Sequence, residues 1–473
     1  MRSAEVVRAR QSSVWIDGYR QLYAAIDAAA DLLSQLSTID FTISAFDEGL
    51  ERYRTDWFRI DQLYRQFTYA RRSFEGPSPL DALRDLVEKT LHQQVRLRAR
   101  QRLAEAGRRS NQLAVGRPAL PALVLRRLRR ASSLREDKKA VVIVSDALRY
   151  EVADELRSRI RQEDRFNADL DAVLGVLPSY TQLGMAALLP HRTLKHSADG
   201  KTVLADGLPT NGVGPRSKVL ETVGGSAIQA EDLPGPDRRR AAGHVQEQPG
   251  SVHLPRRHRR DRRQAGHRAP GLRSRRADAL AELVDLVKKT ANANATNIFV
   301  TADHGFLFQD EALPEQFFLS EKAHGDKILV SNKRYVLGHG LKVDDAFTTF
   351  TAEQLNLDGD IEVQIPKSIH RLRLAGGGTR FVHGGATLQE IVVPVLVINK
   401  KRKSDTRLVN VKVLPGHRQD HHRPAGREAV PVGARQRQGS GPRAARGAVR
   451  GGDADLQRPA ARADLRLLLA RAA

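Results

Sequence analysis

A few side chains in this sequence combine type and setting in a way that suits phosphoryl chemistry. Asp146 closes the apolar run Ala140-Val141-Val142-Ile143-Val144, and Asp303-His304-Gly305 follows Asn297-Ile298-Phe299-Val300-Thr301. His383 stands between Phe381-Val382 and the pair Gly384-Gly385. Carboxylate and imidazole together suit zinc or manganese. Thr181 follows Pro178-Ser179-Tyr180 at the start of an expected helix, where a hydroxyl gains from free backbone N–H groups and the positive end of the helix dipole. Alone, each part has an ordinary reading: Thr181 as a plain N-cap, Asp303-His304 as a structural pair. Together they form the kind of constellation that two-metal phosphoryl-transfer enzymes use. One ion would activate the hydroxyl, and a pair about 4 Å apart would clamp the attacking and leaving oxygens.

The elements that must position these groups are also legible. From Lys138 onward strands and helices alternate, which indicates an α/β domain with a largely parallel sheet. Residues 140–144 are continuously apolar, as in a strand buried on both faces, and ligands bind at the carboxyl ends of such strands. Helices are expected over Glu151–Ile160 and Leu183–Leu189, and a short strand over Leu174–Leu177. An amphipathic helix bearing Leu280, Leu283, Val284 and Val287 leads into the strand 297–301, and the apolar segment Ala386–Pro394 ends the domain. Residues 14–90 read as helical: Ile16, Tyr19, Leu22, Tyr23, Ile26, Ala29 and Leu33 recur at three-to-four spacing, as do Trp57, Ile60, Leu63, Tyr64 and Phe67. Gly76-Pro77-Ser78-Pro79 interrupts them before a further helix at about 80–90. This region carries no recognisable chemistry and is expected to be a helical packing or partner-binding module.

The chain has 473 residues and a net charge of +23, yet the basicity is local. Segment 91–133 has 11 Arg against one acid, 233–276 has 13 against three, and 415–473 has 12 against five. The other 327 residues carry a net −4, ordinary for an enzyme, and hold every Lys and all 24 aromatics. A basic DNA-binding tail would look like this and would bind DNA with steep salt dependence. GC-rich DNA read out of frame also yields Arg, Pro, Gly and Ala with few Lys or aromatics. Moved one base forward, Val252–Gln264 permits Tyr-Ile-Tyr-His-Asp-Val-Ile-Asp-Ala-Thr-Gly-Asp-Lys, a strand followed by an acidic loop. The same shift turns Arg418–Ala425 into Asp-Lys-Ile-Thr-Thr-Gly-Gln-Leu and Thr90–Gln93 into His-Tyr-Thr-Asn. The three segments are therefore read as out of frame: 91–133, 233–276 and the tail 415–473. There is no Cys, hence no disulfide and no thiolate metal site. Met1–Arg10 lacks the apolar core of a secretory signal, and the apolar run Ile391–Ile398 is too short to span a bilayer, so a cytoplasmic protein without a membrane partner is expected.

Four stretches, Lys139–Ala153, Leu177–Pro190, Val300–Phe306 and His383-Gly384-Gly385, resemble the PglZ family, alkaline-phosphatase-superfamily proteins of the BREX phage-defence systems, with the likeness closest to type A. The resemblance covers roughly 138–232 and 277–414, with weaker support from 14–90, and the whole domain is expected over 138–400. It implies an alkaline-phosphatase-like three-layer sandwich preceded by a helical segment, and a metal-dependent phosphatase or phosphodiesterase. Thr181 would be the nucleophile. Asp146, Asp303 and His304 would hold one ion, and His383 the second. Zinc is the first expectation, with manganese and magnesium open. Other BREX proteins, and DNA, are the implied partners. The family's Tyr-His-Asn-x-Ile-Asp-Ala-x-Gly-Asp stretch, expected to supply the second site's carboxylates, is found only in the shifted frame. As written, Arg256–Arg263 place cations there, so the second site has no carboxylates in frame and impaired activity is expected. The family also extends further at the N-terminus, so Met1 is expected to be an internal start. A non-catalytic scaffold is the alternative, and phosphomutase chemistry is open to the same fold. Gly376-Gly377-Gly378 reads as a surface loop that could flank the substrate mouth. Resequencing codons 85–140, 225–280 and 410 onward should show a frame encoding Tyr-His-Asp-Val-Ile-Asp-Ala-Thr-Gly-Asp; an intact Arg-rich frame would instead favour the scaffold or DNA-binding reading.

Overall fold

Apolar residues recurring every three to four positions wind into helices that bury those positions against each other. In the computed structural model these are α1 (Ile16–Thr38), α2 (Phe46–Arg52), α3 (Phe58–Arg72), reached through a wide turn at Tyr53–Trp57, and α4 (Asp81–Ala99). Ala25, Ala29, Leu32 and Leu36 of α1 pack with Ile60, Tyr64 and Phe67 of α3 and Val87 of α4. Helix α4 continues to 99, beyond the expected end near 90. The structure describes residues 16–41, 46–73, 79–99, 140–233, 272–293, 295, 297–319, 323–374, 380–401, 410–413, 429–432 and 465–470. Most of the Arg-rich segments, and Gly376–Gly378, lie outside the described residues.

The continuous apolar run at 140–144 becomes β1 (Ala140–Ser145), buried along its whole length. It is followed by α5 (Tyr150–Gln162), β2 (Phe166–Leu174), α6 (Thr181–Ala187), α7 (Val213–Glu221), β3 (Ser226–Gln229), α8 (Leu272–Asn292) and β4 (Asn297–Thr301). A smaller antiparallel sheet is built from β5 (Gly325–Ser331), β6 (Val336–Leu341), β7 (Phe347–Thr351) and β8 (Glu362–Pro366). The chain returns through α9 (Leu388–Ile391) to β9 (Val392–Lys400), and β10 (Leu465–Ala470) completes the large sheet.

The large sheet runs β2, β9, β4, β1, β10, β3. The pairings β4–β1, β1–β10 and β10–β3 are parallel, and the two on the β9 side are antiparallel. One face is covered by α5 and α8, through Ala153, Leu156, Ile160, Leu283 and Val287. The other face is covered by α6, α7 and part of the small sheet, through Leu183, Met185, Val219, Leu220, Leu337 and Val363. The fold is thus an α/β three-layer sandwich with a mixed, mostly parallel sheet.

Two local expectations need correction. The second strand is Phe166–Leu174 and ends where Leu174–Leu177 was expected to begin. Its alternation of Asn167, Asp169 and Asp171 with apolar residues marks an antiparallel, half-exposed strand, which pairs with β9 over nine positions. The apolar segment Ala386–Pro394 divides: Thr387 and Glu390 form a capping box for α9, and β9 starts at Val392. Among the described residues no helix is long and apolar enough to cross a membrane. Phe299, fully buried in β4, anchors the face that carries α6. Phe299→Ala should cost about 3–5 kcal/mol in urea denaturation, and an unchanged midpoint would show that this face is not the core.

Candidate active site

The carboxyl ends of β1 and β4 are adjacent because the two strands pair in parallel register, so Asp146 and Asp303 emerge side by side. The chain turns sharply after Asp146, where Ala147 takes φ +55°, a strained value for a residue with a Cβ. That turn aims the Ala147 N–H at Asp303 Oδ1 (2.9 Å), which also accepts the His304 N–H at 3.0 Å. Asp303 Oδ2 is buried without a hydrogen-bond partner, as is Asp146 Oδ1. His304 Nε2 lies 3.5 Å from the first and 3.9 Å from the second.

Ligand atoms of Asp146, Asp303 and His304 all fall within 4.8 Å of one another. Burial, and then the Asp146 carboxylate beside it, push the Asp303 carboxyl up to about 8. Two carboxylates in mutual repulsion, each with an oxygen lacking a proton donor, fit a divalent cation. His304 supports the same reading. Its Nδ1 lies 2.7 Å from the Gly305 carbonyl, which can only accept, so Nδ1 carries the proton and Nε2 presents a lone pair. Burial holds the imidazole below its ordinary pKa and so favours this neutral form.

Thr181 Oγ1 lies 3.0 Å from His304 Nε2. Tyr180, not Thr181, occupies the cap position of α6, and Thr181 is the first residue of the helix. Gly184, one turn on, lets α6 approach this closely, since a Cβ there would meet the Asp303 carbonyl oxygen at 2.3 Å. The His383 ring stacks on His304 with centroids 4.4 Å apart. The structure therefore brings Asp146, Thr181, Asp303, His304 and His383 together. Among the described residues, the group within metal-binding distance is Asp146, Asp303 and His304, and His383 is not joined by carboxylates of its own.

Sequence reasoning missed the groups that hold these loops. Ser179 Oγ donates to the Gly385 carbonyl at 2.7 Å and accepts the Gly384 N–H at 3.2 Å, joining the Thr181 and His383 loops. Glu390, wholly buried, accepts from Gly385 N (2.9 Å), Thr387 Oγ1 (2.8 Å) and Arg334 (2.7 Å), while its carbonyl accepts from Gly305 N at 2.8 Å. Burial alone would raise its carboxyl, but Arg334 and the other donors outweigh that and hold it low. A Cβ at Gly305 would strike the Gln389 carbonyl oxygen at 2.1 Å, so the His304 loop and α9 are in backbone contact. Arg216, in the first turn of α7, was also missed. Burial lowers its pKa, while the Asp303 and Asp146 carboxylates act on it through space in the opposite sense. Its Nε donates to the Thr210 carbonyl at 2.8 Å. The stretch Asn211-Gly212-Val213-Gly214-Pro215-Arg216, glycine-rich and ending in a cation, was the available signal.

A family model for the BREX system PglZ alkaline phosphatase-like domain matches residues 126–398. The alkaline phosphatase-like protein BrxZ of Escherichia coli O9:H4 (strain HS) is 35% identical over 84% of this chain and 47% of its own length. The alkaline phosphatase-like protein PglZ of Bacillus cereus (strain H3081.97) is 28% identical over 86% of this chain and 49% of its own length. The chain thus spans about half the length of the curated relatives it matches. Among solved structures, murine ectonucleotide pyrophosphatase/phosphodiesterase 5 matches 56% of this chain and 88% of its own at 11% identity and a TM-score of 0.33. Phosphonoacetate hydrolase from Sinorhizobium meliloti 1021 matches 55% and 89% at 13% identity and a TM-score of 0.31.

Asp303 sets a pH signature. Its carboxyl titrates at about 8 in the folded, metal-free chain and near its ordinary value when unfolded, so its contribution to stability is present at low pH and lost as pH rises towards 8. Metal-free wild type should therefore lose stability relative to Asp303→Asn as pH rises from about 5 to 8. A divalent ion must displace the proton, so binding at pH 7 should release about one proton, seen by calorimetry in buffers of different ionisation enthalpy. Binding without proton release would remove Asp303 from the ligand set.

Proposed function

The chain belongs to the PglZ family of BREX-system alkaline-phosphatase-like proteins, and from that premise we propose that it carries a metal-dependent phosphatase or phosphodiesterase site with Thr181 as nucleophile. The observation that carries this reading is Thr181 Oγ1 standing 3.0 Å from Nε2 of His304, a member of the Asp146, Asp303 and His304 donor group. These three side chains would hold one divalent ion and His383 the second, with zinc favoured by the mixed carboxylate and imidazole donors and manganese or magnesium as alternatives. When bound, such an ion lowers the pKa of a nearby hydroxyl and offsets charge on phosphoryl oxygens.

The protein's own groups supply the rest. Thr181 Oγ1 stands 3.0 Å from His304 Nε2, so an ion held by that nitrogen would lie beside the Thr181 hydroxyl. Thr181 Oγ1 would lose its proton to solvent and form the bond to phosphorus as the ester oxygen leaves with its electron pair and takes a proton from water; water would then cleave the Thr181 ester, releasing phosphate from a monoester or a phosphomonoester from a diester. Arg216, near enough for the Asp303 and Asp146 carboxylates to act on it through space, would offer a cation to the non-bridging oxygens of the substrate.

The same reading includes impaired turnover in a damaged reading frame. No described carboxylate stands with His383 as Asp146 and Asp303 stand with His304. The sheet order supports the frame argument too. The place between β1 and β3 is taken by Leu465–Ala470 from the tail, although chain order would suit a strand arising between β3 and α8, where the shifted frame permits Tyr-Ile-Tyr-His. The setting belonging to this reading is anti-phage defence in the cytoplasm, with other BREX proteins, and DNA, as partners. The lack of second-site carboxylates among the described residues also favours a second reading, a non-catalytic scaffold of the defence complex.

Hydrolysis of p-nitrophenyl phosphate and bis(p-nitrophenyl) phosphate by the full chain with zinc, manganese or magnesium separates the two. Slow, metal-dependent turnover should fall at least about 100-fold in Thr181→Ala and about 10-fold in Arg216→Ala. Metal binding with no turnover of either ester, before and after frame correction, would leave the scaffold.

A further inference from the structure

Helix α3 reaches the back of the metal-ligand loops through buried charge. Arg149, three residues after Asp146, is 3% exposed, and its guanidinium lies 3.1 Å from Asp61 of α3 and 3.8 Å from Glu151. Asp61 also accepts the Tyr53 hydroxyl at 2.8 Å and the Gln389 amide at 3.4 Å. Glu151, with no exposure, is held by Arg65 of α3 at 2.8 Å, and Gln62 donates to its carbonyl at 3.5 Å. The Arg149 guanidinium lies 5.3 Å over the ring of Phe306, two residues after His304, and Phe306 contacts Phe381, two residues before His383.

The cluster thus touches the segment following Asp146, the segment following His304, the aromatic flank of His383, and Gln389 beside Glu390. The helical region also docks through apolar contacts. Tyr53, Trp57 and Phe58 already pack on Tyr150 and Val392 in an apolar cluster, with the Phe58 and Tyr150 rings edge to face at 5.4 Å. Buried ion pairs hold elements together no better than well-packed apolar groups of the same volume, so their use here calls for another reason. What they add is direction: a guanidinium between two carboxylates and a ring face admits one geometry.

We propose that the Asp61, Arg149, Glu151 and Arg65 cluster positions the metal-ligand loops, which makes helix α3 part of the site and not only a packing or partner-binding module. The inference rests on the metal-site reading above for its functional meaning. Asp61 acts through Arg149 and Phe306 and is a positioning residue.

The test compares the full chain with Asp61→Asn and with Phe58→Leu, which weakens docking and leaves the charges intact. Two readouts are taken: cobalt(II) titration followed by its visible absorption, and hydrogen exchange of the metal-free protein at the amides of Ala147, His304 and Gly305. Asp61→Asn should retain the parent's circular dichroism, bind cobalt about 10-fold more weakly with a shifted absorption band, and lose protection at those three amides relative to β4. Phe58→Leu should lower the denaturation midpoint and leave both readouts unchanged. Unchanged cobalt affinity and unchanged protection in folded Asp61→Asn would overturn the proposal, as would equal losses in Phe58→Leu. If Asp61→Asn does not fold, Tyr53→Phe, which removes one hydrogen bond to Asp61, is held to the same criteria. A parent chain that binds no cobalt would count against the metal reading alone, and the exchange readout would still decide the positioning role.

Discussion

A carboxylate cut off from water must find donors, and Glu390 finds them in the His383 loop, the cap of α9 and the hairpin of the small sheet. Its side chain takes Arg334 from the small sheet, Gly385 from the His383 loop and Thr387 from the cap of α9, and its backbone carbonyl takes Gly305 from the His304 loop. Losing one partner of such a buried pair would leave a charge without compensation, a penalty of about 3–5 kcal/mol. The two histidine loops are consequently not free to adjust separately. Ser179 extends the constraint to the loop before Thr181, and Gly184 lets α6 lie against Asp303.

Around this scaffold the site itself is held in electrostatic tension. Parallel pairing of β1 and β4 sets two carboxylates side by side, and Asp303 is buried deeply enough that its proton is retained to about pH 8. Backbone amides occupy one Asp303 oxygen and leave the other without a partner. A neutral His304 completes the group, its tautomer set by the Gly305 carbonyl. A cation in place of the proton would relax the arrangement, which is the physical content of the functional reading.

The β1, β4 and loop motifs were legible because continuous apolar strands can only lie in the middle of a covered sheet, and their carboxyl ends then share an edge. The mixed character of the sheet was less legible. β9 hides within an apolar run that also supplies α9, so its antiparallel pairing with β2 and β4 is not announced locally. The position of Leu465–Ala470 between β1 and β3 depends on pairing across more than 200 residues of chain, which no local pattern encodes.

By itself the sequence determined the residue types at the strand ends, the α/β alternation, the N-terminal helices and the confinement of excess charge to three segments, because these follow from composition and short-range periodicity. Only the tertiary structure decided which polar residues serve the site. Arg149, Asp61, Glu390, Arg334 and Arg216 are common charged residues on ordinary helices and turns, and nothing in their spacing separates them from a solvated surface. Their meaning arises when burial removes water and leaves each charge dependent on partners distant in the chain, such as Asp61 with Arg149 and Arg334 with Glu390.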